Sequence, residues 1–131
     1  MRFKLLAAVA LATAAAGCGG GDDKPVTPTT AATPAAGKDD PGLKVWVAQA
    51  CGTCHTLKAG GSTSQIGPDL DSSLEGQTDE YIHESIVTPN AAIAAGFSGG
   101  TMPEGFAERI KPDDLTALVA WIAKSVGAKA D

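Results

Sequence analysis

The run Cys51-Gly52-Thr53-Cys54-His55 constrains this 131-residue chain more than any other part of it. Two intervening residues bring both thiols to one edge of a flat macrocycle. There they can bond to the two vinyl groups of a haem while the next residue offers a neutral imidazole nitrogen to its iron. Two other chemistries use the same thiols. Structural zinc takes four ligands, often with a second cysteine pair, but the only other cysteine is Cys18 and the only other histidine is His83. A thioredoxin-like dithiol is closer, yet that site opens a helix after a strand in a βαβ pattern. Here a helical pattern precedes the motif and no strand pattern is evident.

A haem iron needs a decision about its sixth position, for which Met1, Met102 and His83 are the available side chains. Met1 leaves with the leader described below. A lone methionine ordinarily fills core space. Met102, however, lies in Gly99-Gly100-Thr101-Met102-Pro103, 47 residues after His55, where glycines permit close backbone approach to a flat group and the proline stiffens the loop. Met102 is therefore the expected metal ligand opposite His55. His83, beside Glu84 on the polar side of a charged helix, reads as a surface residue.

The chain divides into three segments. Arg2 and Lys4 precede an apolar stretch from Leu5 to Ala16, followed by Gly17, which reads as an export signal over residues 1–17. Twelve helical residues rise only about 18 Å against a hydrocarbon core of about 30 Å, so a permanent span is not expected. The run Ala15-Ala16-Gly17-Cys18 resembles a bacterial lipobox, which implies lipidation of Cys18, although Ala15 stands where leucine is usual. The competing reading is a secreted protein cut nearby with a spare thiol, a liability in an oxidising compartment. Residues 19–40 hold four glycines, three prolines, four threonines and only Val26 as a sizeable apolar side chain. Such a segment cannot bury enough surface to order itself. Residues 18–40 are expected to be a lipid-anchored tether, with a root-mean-square span of roughly 26 Å and an extended reach of roughly 70 Å.

Residues 41–128 carry the folded domain, about 90 residues with a modest core that a cofactor would complete. Asp40 caps a helix that starts at Pro41, whose apolar positions Leu43, Trp46, Val47 and Ala50 lead directly into Cys51. Thr78 caps a second helix with Asp79 and Glu80 in its first turn, Tyr81, Ile82 and Ile86 on its apolar side, and a stop before Pro89. A third starts at Pro112. Leu115, Leu118, Val119, Ile122 and Val126 form its stripe, and Gly127 follows its end. No segment alternates with a two-residue period, so the domain is expected to be all-α.

With these residues in view, 41–127 resembles a class I monohaem cytochrome c, most closely the cytochrome c domain fused to subunit II of bacterial haem-copper oxidases. The likeness runs through Glu84-Ser85-Ile86-Val87-Thr88-Pro89-Asn90, Ala95-Gly96-Phe97, Met102-Pro103 and Leu118-Val119-Ala120-Trp121-Ile122. It implies three main helices around one covalently bound haem c. It also implies roles for Gly67-Pro68-Asp69-Leu70, which lies just after the haem motif: the Pro68 carbonyl would accept the second ring N–H of His55, and Leu70 would pack on the haem. Phe97 would close the Met102 side. Trp46 and Trp121 suit the aromatic pair where such proteins cross their first and last helices. No copper-binding domain precedes the module, so a stand-alone carrier is expected rather than an oxidase subunit.

The expected function is single-electron transfer by a monomer, not an enzyme, on the extracytoplasmic side of a bacterial membrane or in the periplasm. Its partners would be a quinol-oxidising complex and a terminal oxidase or reductase. A haem-based ligand sensor and a thiol-disulfide oxidoreductase are the alternatives. Net charge is −5, and −7 without Arg2 and Lys4, which disfavours nucleic acid. The acids Asp69, Asp71, Glu75, Asp79, Glu80 and Glu84 either face a basic partner or form a solvated surface. If Cys18 carries the anchor, Cys18→Ser should move the haem-stained protein from the membrane fraction to the soluble fraction, with loss of a lipid-sized mass on intact-protein mass spectrometry.

Overall fold

The structure is a computed structural model that describes residues 37–129; the expected leader, Cys18 and the tether up to residue 36 lie outside the described residues. The first helix, α1 (Pro41–Ala48), starts as expected: Pro41 occupies its first turn and the Asp40 carboxylate accepts the Gly42 amide at 2.9 Å. Its far end departs from expectation. The helix stops at Ala48, and Ala50 turns left-handed at φ +56° before a single 3₁₀ turn carries Cys51–Thr53. That conformation costs about 1–2 kcal/mol in a residue with a Cβ. Alanine's helical preference hides such a turn from a sequence reading.

The buried face of α1 also differs from the expected stripe. Val47 is 67% exposed and Ala50 is exposed, whereas Gly42 and Trp46, one turn apart, are buried. The reason is the partner helix, α5 (Pro112–Val126), which lies against α1 at its glycine. A Cβ on Gly42 would overlap the Cβ of Trp121 and the carbonyl oxygen of Ala117. The close approach brings the Trp46 and Trp121 rings together, with centroids 5.6 Å apart and planes tilted by 53°, a favourable aromatic geometry.

Between these helices lie a two-residue hairpin, β1 (Thr56–Leu57) with β2 (Ser62–Thr63), and the one-turn helix α2 (Leu70–Ser73). Then come α3 (Asp79–Val87) and the one-turn α4 (Phe106–Arg109). The hairpin and the two short helices are too brief to show a period, so the sequence did not announce them. By contrast α3 and α5 match their expected caps: Thr78 Oγ1 accepts the Tyr81 amide at 3.2 Å, and Gly127 closes α5 at φ +68°, where a side chain would be strained. Past that cap, the Lys129 amide donates to the Gln77 carbonyl at 2.8 Å, fastening the chain's end to the start of α3.

Among the described residues the fold is thus all-α in its main elements, with α1, α3 and α5 as the three longest helices. Leu118 and Ile122 of the α5 stripe are buried in one cluster with Trp46, Leu57 and Ile82, against which Cys51 packs. Filling the glycine notch tests this arrangement. Gly42→Ala is expected to destabilise the haem-loaded protein by about 1–3 kcal/mol through overpacking, read as a lower denaturant midpoint at unchanged slope.

Candidate cofactor site

The turn after α1 places Cys51, Cys54 and His55 on one wall of a cleft of about 440 Å³, within the roughly 300–1,000 Å³ of small-molecule and cofactor sites. Amide-to-carbonyl bonds from Cys54 and His55 to Cys51 hold the turn, at 3.2 and 3.1 Å. The Gly67 amide donates to the Cys54 carbonyl at 2.7 Å and ties it to the following segment. Both cysteines are half-buried free thiols. Burial pushes the Cys51 thiol up to about 11, only partly offset by a backbone hydrogen bond.

His55 is held from behind. Its Nδ1 lies 3.0 Å from the Pro68 carbonyl oxygen. A carbonyl can only accept, so Nδ1 carries the proton and Nε2 is left with its lone pair. Gly67 lies under the ring: a Cβ there would sit 2.8 Å from Cε1 and 2.9 Å from Nδ1. Sequence reasoning singled out Pro68 but not this need for a glycine, which only the approach of the 67–68 backbone to the imidazole reveals.

The segment from Pro89 to Pro103, which carries Ile93, Phe97 and Met102, also lines the cleft. Tyr81 and Ser85 from α3, Leu70 from α2 and Phe106 from α4 complete the lining. The structure therefore brings Cys51, Cys54, His55, Pro68, Leu70, Phe97 and Met102 to one cleft. Phe97 stands at its rim, 38% exposed. A smaller cavity of about 80 Å³ behind it reaches Trp46, Ile82 and Ile122 and is also bordered by Cys51, His55 and Met102, so the cleft's inner wall is the core itself.

His83 is exposed on α3 and outside the cleft. The acids lie outside it too, and some have structural work: Asp69 caps α2 and Asp71 accepts the Lys58 amide at 2.9 Å. Among the described residues, no Asp, Glu, Lys or Arg side chain lines the cleft. An apolar lining, two thiols, a tautomer-fixed imidazole and a thioether brought to one cleft form a set that suits a covalently held haem.

A family model described as Cytochrome c matches residues 40–125. No curated protein and no solved structure matches the chain. Gly67→Ala should push the imidazole off the Pro68 carbonyl. Both an altered absorption spectrum of the haem-loaded protein and a loss of about 1–3 kcal/mol by denaturation are expected. Gly61→Ala, which meets open space at φ +65°, should cost stability without changing the spectrum.

Proposed function

The chain belongs to the cytochrome c family, a haem-based electron carrier with covalently bound haem c, and on that premise we propose that His55 and Met102 hold the iron from its two sides. The observation that carries this reading is the convergence of Cys51, Cys54, His55 and Met102 on one cleft, drawn from two segments 47 residues apart. When bound, the haem supplies a one-electron couple at iron. The two cysteine sulfurs would hold the group covalently as thioethers and so prevent its loss. The Pro68 carbonyl keeps His55 in the tautomer that offers Nε2 and raises its basicity. Met102 supplies a sulfur, which favours the ferrous state relative to a second nitrogen and sets a positive potential for a c-type centre. Side chains fixed on both faces keep reorganisation small.

The raised Cys51 thiol bears on the dithiol alternative. Thiol exchange needs a thiolate, and reactive cysteines of that kind have depressed pKa values; burial here acts in the opposite direction. A protonated, half-buried thiol beside an apolar cleft suits attachment to a porphyrin edge better.

The carrier works, in this proposal, as a monomer on the extracytoplasmic side of a bacterial membrane, held by lipid on Cys18 and swinging on residues 18–40. It would take electrons from a quinol-oxidising complex and pass them to a terminal oxidase or reductase. The choice of an oxidase rests on the sequence resemblance read in residues 84–103 and 118–122 alone. No helix among the described residues is long and apolar enough to cross a membrane, so attachment would fall to the N-terminal segment.

Replacing the proposed sulfur ligand separates this reading from its rivals. Met102→Ala is expected to abolish the methionine-to-iron charge-transfer band and open the iron to external ligands. It should also lower the reduction potential on the order of 0.1 V, a modest part of the roughly 0.8 V that axial ligands command. An unchanged potential in that variant would remove Met102 from its role.

A further inference from the structure

We propose that Asn90 is a positioning residue for Met102, a single amide that clamps the loop presenting the sulfur; this rests on the reading of Met102 as an axial ligand. Asn90 follows the buried Pro89, just past the end of α3, on the wall of the cleft. Its Oδ1 accepts the Gly100 amide at 2.7 Å, and its Nδ2 donates to Glu104 Oε1. Gly100 precedes Met102 by two residues and Glu104 follows it by two. One side chain thus grips the loop on both sides of the methionine.

The other hydrogen bonds of this loop are local. The Ala91 amide reaches the Thr88 carbonyl, the Phe97 amide the Ala94 carbonyl, and Thr101 Oγ1 the Ser98 carbonyl. None of these three ties the stretch around Met102 to a distant part of the chain. Gly99 packs close to the clamp, since a Cβ there would meet Asn90 Oδ1 at 3.4 Å, and Gly100 is left-handed at φ +76°.

Asparagine beyond a helix end is ordinarily a turn residue bonding to backbone two or three positions away. The bonds of Asn90 span ten and fourteen residues instead, which a local turn does not require. The position also calls for this side chain. A planar amide offers an acceptor and a donor at once; aspartate would keep the acceptor but set a second carboxylate against Glu104, and alanine would lose both bonds.

A ligand carried by a loop leaves whenever the loop opens, and an external ligand captures the iron in proportion to the open population. Losing one or both bonds should enlarge that population on the order of tenfold. The test uses the haem-loaded full chain in the ferric state, with the rate of imidazole binding to iron, the methionine-to-iron charge-transfer band and the thermal midpoint as readouts. Asn90→Ala is expected to bind imidazole about tenfold faster with a weakened band. Asn90→Asp should also be accelerated. Glu104→Gln, whose side-chain carbonyl still accepts from Nδ2, should keep the parent rate.

Three results would overturn the clamp. One is a parent-like imidazole rate and band in both Asn90 variants. Another is an acceleration no larger than that of Gly42→Ala, which loosens the α1–α5 crossing without touching the loop. The third is a Met102→Ala protein that retains the charge-transfer band, which sinks the ligand assignment and the clamp with it. If Met102→Ala loses the band while the Asn90 variants bind imidazole at the parent rate, the clamp alone fails and the ligand assignment stands.

Discussion

The contact on which the rest of this structure depends is the passage of α5 over Gly42. Only a residue without a Cβ lets the Trp121 Cβ and the Ala117 carbonyl come so near, and that proximity brings Trp46 against Trp121. Trp46 in turn supports the turn that bears the thiols. A Cβ on Gly60 would lie 2.6 Å from its indole nitrogen, and one on Gly52 would lie 3.2 Å from the same atom. The thiol-bearing turn is therefore seated on an aromatic plate whose position is set by a helix more than sixty residues away in sequence. Packing at near-crystalline density passes small displacements on rather than absorbing them.

From that seat the two walls of the cleft are built by different means. The wall with Cys51, Cys54 and His55 is rigid by short-range bonding, and the Pro68 carbonyl and Gly67 backbone lock the imidazole from behind. The wall from Pro89 to Pro103 has no regular secondary structure and is mostly exposed. Few buried contacts and exposed hydrogen bonds are the marks of a segment with low local stability. The asymmetry suits a centre in which one ligand belongs to the covalent attachment and the other arrives on a loop. In such a centre the loop's fastening governs access to the metal.

Much of this was legible in the residues. The three long helices announced themselves through caps and periodic apolar positions, as with Thr78 ahead of α3 and Gly127 behind α5. Cys51, Cys54, His55, Pro68, Leu70, Phe97 and Met102 stand out in the sequence, and the fold gathers them at one cleft. What escaped did so for physical reasons. The left-handed Ala50 contradicts its own residue's preference, and Val47 sits outward because the seat of α5 lies around Gly42. Elements of two to four residues leave no periodic trace.

By itself the sequence determined the donor set, because the order and spacing of two thiols and a histidine are covalent facts that no fold can alter. It also determined the helical character of the domain, since apolar periodicity and end caps act within a single element. Only the tertiary structure decided which glycines had to be glycines, which imidazole nitrogen is left free, and that Asn90 reaches both sides of Met102. Those depend on backbones and side chains meeting across long stretches of chain, and a linear order of residues does not specify such meetings until the elements have packed.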